Sequence, residues 1–312
     1  MSAVPSHVHT PAATLPSRAY GFRSALANAL SGAAQWRVLL LWLLVLVALA
    51  CFGIGPLSSA LSSVLDQHPD AAAMAHGATV SQIGDLITMV SKSNGGEIAA
   101  GFKSAIVMAL LLSPWLTGLA SHSIHAGKKP GLASLFTGAF REYPRQLGLS
   151  LWSLLPLAIG FAVFGGLSHW AEQHAETATL ETSANFVSKL ALIAGGITLL
   201  LAHASIEAAR GFFAVRPDTA NPVKAWWRGV KLLLRRPLHT LGLYVLASLP
   251  GLLVAFLLLL VRVRIDAVGW GMWLAAFLIV QLGIAALAWS RVARLRALAT
   301  LANDEMVQRR YR

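Results

Sequence analysis

Residues 222–261 read PVKAWWRGVKLLLRRPLHTLGLYVLASLPGLLVAFLLLLV, a basic segment followed by a long apolar one. Its second part, 238–261, contains no Asp, Glu, Lys or Arg over twenty-four residues. Helical residues rise about 1.5 Å each, so a helix of this length crosses the roughly 30 Å hydrocarbon core of a bilayer. The stretch therefore predicts a basic helix with two tryptophans that leads into a membrane-spanning helix.

Comparable apolar stretches occur elsewhere along the chain. Hydrophobic residues make up 56 % of the sequence and charged residues only 12 %, against about a quarter charged in soluble domains. We predict an all-α, polytopic membrane helix bundle of six transmembrane helices. The predicted spans are 38–56, 102–121, 147–168, 187–209, 238–261 and 268–290.

The basic residues collect at alternate ends of these spans. Of the twenty-five Lys and Arg, twenty lie in the N-terminal segment, the joins 122–146 and 210–237, and the segment from Arg291 onward. Basic residues favour the cytoplasmic side of a membrane. The pattern predicts a multi-pass protein of a bacterial-type inner membrane with both termini in the cytoplasm.

A formal net charge of +12 raises the question of a nucleic-acid partner. The charge is spread over four separate segments rather than one patch, which disfavours nucleic acid. Anionic lipid headgroups at the cytoplasmic face account for it, at about 1 kcal/mol per well-placed cation. Membrane lipids are therefore the expected partner, while a protein partner is left unknown.

The chain divides into three parts on composition. Residues 1–17 predict a disordered tail, 18–300 a six-span domain, and 301–312 a basic cytoplasmic tail. Within the domain, Leu147-Gly148-Leu149 with Leu155-Pro156 matches Leu241-Gly242-Leu243 with Leu249-Pro250. These matches suggest three repeats, each an interfacial amphipathic helix followed by two spans. Both mid-span prolines predict kinks, either for packing or as hinges.

The amphipathic helix before span 5 is the clearest of the three. Helical spacing predicts one apolar face, formed by Trp226, Trp227, Val230, Leu233 and Leu234, and Asn221 and Pro222 suit its start. Such a helix lies in the headgroup plane. We predict a lipid-headgroup rim composed of Lys224, Arg228, Lys231, Arg235, Trp226 and Trp227. Segments 130–145 and 18–37 are weaker candidates, and all three helices could instead serve only as membrane anchors.

A candidate polar cluster lies near the ends of spans 2 and 4. His203 and Arg210 stand four residues before and three after Glu207, on one helical face. His122 and His125 lie at the matching depth of span 2. The cluster could move a proton or bind a metal, or Glu207 could simply be neutralised by Arg210. No catalytic motif accompanies it, so no catalytic residue, metal or cofactor is predicted.

Two basic and aromatic lead-ins, Lys224–Pro237 and Arg141–Leu147, each run into a proline-kinked, leucine-rich span. In this layout the chain resembles the six-span membrane domain found beside bacterial glycerophosphodiester phosphodiesterases, and related uncharacterised inner-membrane proteins. The resemblance covers about residues 18–300. It implies an accessory or lipid-associated membrane module without the catalytic barrel, so no catalytic role is transferred.

Three functions remain open on the sequence. The first is a non-enzymatic integral membrane protein whose basic rim binds lipid or a partner. The alternative is a small-molecule transporter or permease, favoured by repeats and kinked spans but opposed by few ionisable residues at mid-membrane depth. An intramembrane enzyme would require His122, His125, His203 and Glu207 to converge.

Overall fold

The computed structural model describes residues 21–310, apart from 67, 70, 72–73, 75–78, 127–129, 178–179, 217–220 and 266–268. These described residues form eight helices and no strand. The helices are α1 (Phe22–Ala33), α2 (Trp36–Leu65), α3 (Val80–His125), α4 (Leu132–Thr177), α5 (Glu181–Val215), α6 (Pro222–Arg235), α7 (Pro237–Val263) and α8 (Trp270–Arg310). The predicted tail 1–17 lies outside the described residues.

Six of these helices, namely α2, α3, α4, α5, α7 and α8, are long and apolar enough to cross a membrane. The all-α fold with six spans is therefore confirmed. Large apolar side chains are exposed along α7, including Leu249, Leu252, Leu253, Phe256, Leu257 and Leu260. Apolar surface of this extent is not left in water by folded proteins. The chain is a multi-pass membrane protein.

The helices extend well beyond the apolar stretches that predicted them. Helix α3 begins at Val80, whereas the predicted span begins at 102, so residues 80–101 belong to the same helix as the span. Helix α8 continues to Arg310 and includes most of the predicted basic tail. Extending an existing helix is much easier than nucleating a new one, so polar flanks remain helical where no strong breaker intervenes.

The amphipathic segments differ from one another. Helices α1 and α6 are separate, but segment 130–145 is continuous with span 3 inside α4 and is not a distinct interfacial helix. Between α6 and α7 the chain turns at Arg236, whose backbone leaves the helical region immediately before Pro237. The residue before a proline disfavours the helical conformation.

Because the three amphipathic segments differ in this way, the threefold repeat stays a prediction.

Both mid-span prolines lie inside continuous helices. Pro156 is buried within α4, and Pro250 lies within α7 and is half-buried. Each proline removes one backbone hydrogen bond from its helix. Neither proline ends its helix, so α4 and α7 both continue past these positions.

The described residues divide into two compact units. The first draws on the described residues within Met1–Gly32, Gly118–Ala247 and Ala293–Arg312. Small and large apolar side chains from five helices form its core: Ala25, Ala29, Ala208, Phe212, Leu232, Leu243, Ala247, Ala297, Leu301 and Ala302. Leu149, Ala209, Phe213 and Ala225 form a neighbouring cluster. This unit contains α6 and the predicted polar cluster.

Glycines allow unusually close helix contacts in the first unit. A Cβ added at Gly229 of α6 would lie 2.5 Å from the carbonyl oxygen of Ser205 in α5. One added at Gly211 of α5 would lie 2.9 Å from the carbonyl carbon of Leu298 in α8. Membrane helices use small residues in this way to bring backbones together. Helix α5 therefore contacts both α6 and α8 nearly backbone to backbone.

The second unit comprises Ala33–Thr117 and Ser248–Val292. A Cβ added at Gly251 would lie 2.4 Å from the carbonyl oxygen of Ala286, so α7 and α8 also approach closely here. The Arg291 guanidinium lies 5.1 Å from the Trp42 ring centroid and donates to Oγ of Ser113, 3.3 Å away. This arginine joins α8 to α2 and α3.

Candidate functional site

Glu207 is the acidic residue of the predicted polar cluster, and helix α5 carries it within the first unit. Its side chain is only 2 % exposed. Arg210, one turn later, forms an ion pair with one carboxylate oxygen. Arg294 of α8 forms a second, with 3.3 Å between its Nε and Oε2 of Glu207. The predicted partner Arg210 is therefore present, and the carboxylate is enclosed by protein.

Tyr244 of α7 extends this arrangement to His203. The Arg294 guanidinium lies 5.0 Å from the Tyr244 ring centroid, a distance suited to a cation–π contact. The Tyr244 hydroxyl lies 2.8 Å from Nδ1 of His203. His203, Glu207, Arg210, Tyr244 and Arg294 thus form one network, the Glu207 network, which joins α5, α7 and α8.

The chemistry available to the Glu207 network is electrostatic. Arginine does not release its proton in proteins, so both guanidinium groups are permanent counter-charges. A buried carboxylate costs several kcal/mol unless it is paired and hydrogen-bonded. The network meets that requirement while linking three helices. The contacts of the Glu207 network are those of a structural link between α5, α7 and α8.

His122 and His125 lie at the end of α3 and have other neighbours. Nε2 of His122 is 3.3 Å from Oγ of Ser134, and Nδ1 of His125 is 3.0 Å from the carbonyl oxygen of Ser121. In the part of the chain that the structure describes, no three His, Cys, Asp or Glu side chains are grouped as a metal site requires. Within these described residues, His122, His125, His203 and Glu207 therefore do not come together as a metal site.

Arg294 and Tyr244 were missed by the sequence reasoning. Both contact α5 through helices far away along the chain, and helical spacing reports only neighbours three or four residues apart. One signal was available. Arg294 belongs to the basic segment that begins at Arg291, and a buried acid requires a counter-charge that could have been sought among such arginines.

Helix α6 begins as its sequence predicted. The Asn221 side chain accepts a hydrogen bond from the Lys224 backbone N–H at 3.1 Å, and Pro222 occupies the first turn. This cap satisfies one of the backbone donors that a helix leaves unpaired at its start. The start of α6 is therefore fixed by local hydrogen bonding.

The surface of α6 has three faces rather than the two expected of an amphipathic helix. One face is buried in the protein and comprises Ala225, Gly229, Leu232 and Leu233. The second is apolar, with Val223, Trp227 and Leu234 exposed and Val230 half-buried between them. The third carries the cations Lys224, Arg228, Lys231 and Arg235. A buried attachment face leaves the other two available to the surroundings.

The two adjacent tryptophans of α6 have different environments. Trp226 turns toward the protein, where its indole N–H donates to Oγ of Ser205 at 3.1 Å and its ring centroid lies 5.8 Å from that of Trp152. Trp227 is 51 % exposed, and Lys231 lies over its ring at 5.6 Å. Trp226 therefore serves as an attachment of α6, and Trp227 is the tryptophan that the rim presents outward.

The four predicted rim cations also differ. Lys224 and Lys231 are exposed, and Arg228 is half-buried. Arg235 is exposed but forms an ion pair with Glu305 of α8, with Nη1 3.0 Å from Oε1. The two lysines are the rim cations that project most freely from the helix surface.

Comparison of the chain with protein-family models, with curated proteins and with solved structures gave no match in any of the three.

Proposed function

We propose that this chain is a non-enzymatic membrane protein whose lipid-headgroup rim on α6 binds anionic lipid. The observation that carries the proposal is the three-faced surface of α6. Its buried face attaches the helix to α5, its exposed apolar face can enter the acyl boundary, and its cations can contact headgroups. Interfacial helices with these properties lie in the plane of the membrane surface.

The attachment of α6 supports a defined depth for the rim. Gly229 contacts the α5 backbone closely, and Trp226 adds a hydrogen bond to the same helix. A helix held in this way presents Trp227 at a constant level relative to span 4. Tryptophan prefers the headgroup level of a bilayer, where its ring and its N–H are both accommodated.

We further propose that the rim faces the cytoplasm across an inner membrane. The sorting of twenty of twenty-five basic residues to one set of joins supports this orientation. An accessory, lipid-associated role is also what the resemblance to the phosphodiesterase-linked membrane domains implies.

Lipid selectivity tests the proposal. In nanodiscs containing equal amounts of phosphatidylglycerol and phosphatidylcholine, native mass spectrometry of the full chain should find phosphatidylglycerol enriched among retained lipids. Neutralising Lys224 and Lys231 together, as Lys224→Gln/Lys231→Gln, should weaken that preference. Two surface cations at about 1 kcal/mol each correspond to roughly a thirtyfold effect.

The matched control neutralises Lys92 and Lys189, two exposed lysines outside the basic joins. Lys92→Gln/Lys189→Gln should change the preference by no more than a few fold, because neither lysine belongs to an interfacial helix. Equal enrichment in the wild-type chain and both variants would refute the lipid-binding role.

Transport is the alternative, and it depends on Glu207 as its best coupling residue. The side chain is 2 % exposed and has two arginine partners. A coupling residue must exchange its ion or proton with water. These contacts support a structural role for Glu207 and favour the rim proposal over transport.

A further inference from the structure

A cluster of arginines surrounds Glu305 near the end of α8. Nη1 of Arg235 lies 3.0 Å from Oε1 of Glu305, and Nε of Arg309 lies 3.1 Å from the same oxygen. Nε of Arg236 lies 3.6 Å from Oε2. One carboxylate is thus shared by three guanidinium groups that come from α6, from its C-terminal boundary and from α8.

The three arginines and Glu305 line a cleft. The cleft has a volume of about 400 Å³ and is lined by Arg235, Arg236, Glu305, Gln308 and Arg309. This size is within the range of small-molecule sites. The side chain of Arg235 is 54 % exposed and that of Arg309 is 45 % exposed, while Glu305 is nearly buried beneath them.

A second cavity of about 200 Å³ adjoins the first and shares Glu305 and Arg309 with it. Its lining adds two more arginines, Arg216 and Arg228, to a base formed by Phe212 and Met306. The described lining of the two cavities therefore contains more arginines than carboxylates. Asp304, which interacts electrostatically with Arg236, offsets part of this positive charge.

The guanidinium groups retain hydrogen-bonding capacity. Each offers five N–H donors. In the described part of the chain, the contacts of Arg235 and Arg309 with Glu305 use only one donor of each. Arg236 also donates to Gln308. All three arginines line the cleft, so their remaining donors are available to water or an anion there.

We propose that the cleft formed by Arg235, Arg236 and Arg309 binds a phosphate group, with Glu305 holding the three guanidinium groups in position. Guanidinium forks match the tetrahedral oxygens of phosphate and bind them bidentately. A terminal phosphate carries up to two negative charges, which suits the positive excess better than a single carboxylate does. Glu305 is a positioning residue, because it contacts the arginines from the buried side.

Two sources can supply this chemistry, namely the phosphomonoester headgroup of a membrane lipid and a soluble phosphate compound. The inference goes beyond the proposed function, since the cleft could hold phosphate even if Lys224 and Lys231 had no lipid preference. The variant that tests the rim leaves all residues of the cleft unchanged. Failure of one proposal is therefore distinguishable from failure of the other.

The first arm of the test uses the full chain in detergent with inorganic pyrophosphate, titrated calorimetrically at constant ionic strength. The second uses nanodiscs containing either phosphatidic acid or phosphatidylglycerol, with bound lipid counted by native mass spectrometry. We expect binding in at least one arm. Binding of pyrophosphate without a preference for phosphatidic acid indicates a soluble ligand. Retention of phosphatidic acid over phosphatidylglycerol indicates a lipid headgroup.

Variants assign the binding to the cleft. Arg236→Gln/Arg309→Gln should weaken it at least tenfold, and Arg236→Lys/Arg309→Lys by a smaller factor, because lysine keeps the charge but loses the fork. The control Arg23→Gln/Arg141→Gln neutralises two exposed arginines of α1 and α4 and should change affinity less than twofold. The single variant Arg309→Gln changes a half-exposed side chain and can be tested if the double variant does not fold.

Two results would overturn the inference. One is a wild-type chain that binds pyrophosphate no more tightly than chloride and does not prefer phosphatidic acid. The other is equal binding by the wild-type chain and by the correctly folded Arg309→Gln and Arg236→Lys/Arg309→Lys variants.

Discussion

Glu207 has more positive charge around it than its own charge requires. Arg210 would suffice to neutralise it, yet Arg294 forms a second ion pair and also stacks on Tyr244. The surplus charge is accommodated because an aromatic face attracts a cation. The Glu207 carboxylate therefore binds one arginine of its own helix, Arg210, and one of α8, Arg294.

Removing this charge should destabilise the protein. Glu207→Gln leaves Arg210 and Arg294 enclosed without their counter-charge, and an uncompensated buried charge costs about 3 kcal/mol or more. The free energy of unfolding, measured by denaturant titration in mixed micelles, should fall by that amount. Glu176→Gln changes an exposed acid at the end of α4 and should shift it by less than about 0.5 kcal/mol. Equal stability of both variants would contradict the structural role.

The tryptophans of α6 provide a second test at the residue scale. Trp226→Phe removes the donor to Ser205 and should lower the free energy of unfolding by about 1 kcal/mol. Trp227→Phe removes no such hydrogen bond and should leave stability in micelles nearly unchanged. The same denaturant titration compares the two. A larger loss for Trp227→Phe would mean that the outward tryptophan has been misassigned.

At the scale of elements, close backbone contact decides which helices stay together. Helix α5 packs on α6 at Gly229 and on α8 at Gly211. Lipid chains are as apolar as leucine, so helices in a bilayer gain from tight packing rather than from hiding apolar surface. Helix α5 therefore organises the first unit through small residues as well as through the Glu207 network.

A methyl group at one of these contacts should disturb it. Gly211→Ala would bring Cβ within 2.9 Å of the α8 backbone, which cannot move aside as a side chain can. We expect a loss of about 1–3 kcal/mol, typical of overpacking. Gly196→Ala, on the same helix, meets no atom within 4 Å and should be neutral or slightly stabilising. Thermal unfolding in detergent compares them, and the packing argument fails if both variants behave alike.

The elements also explain what sequence can and cannot predict. Hydropathy and length are local properties, so the six spans were predictable from 238–261 and its counterparts. The Arg294 partner of Glu207 was not, because eighty-seven residues separate them. Helical spacing placed Trp226 and Trp227 on one apolar face. It overlooked the small residues Ala225 and Gly229, whose close packing on α5 turns Trp226 inward.

At the scale of the whole molecule, the number of spans fixes the relation between the termini. Six crossings would return the chain to its starting side, so we expect α1 and the end of α8 on one side of the membrane. The end of α4, reached after three crossings, lies on the other. We expect this topology whichever side is cytoplasmic, and the proposed orientation places α1 and the end of α8 on the cytoplasmic side.

Cysteine labelling tests this arrangement. In a Cys51→Ala background, which removes the only native cysteine, Arg23→Cys and Gln308→Cys should react with a membrane-impermeant maleimide in inside-out vesicles. Glu176→Cys should react only in right-side-out vesicles. Labelling of positions 23 and 308 from opposite sides would contradict an even number of spans.

The Glu207 network also bears on the order in which the protein is made. Glu207 and Arg210 lie three residues apart, so they form a neutral pair as soon as α5 is helical. This happens before Arg294 has been synthesised. Span 4 can therefore enter the bilayer without waiting for the last helix. Arg294 is synthesised later. It then pairs with Glu207 and also contacts the ring of Tyr244, whose helix α7 has already been inserted. Biogenesis of the chain can thus proceed helix by helix, and the final helix completes the assembly.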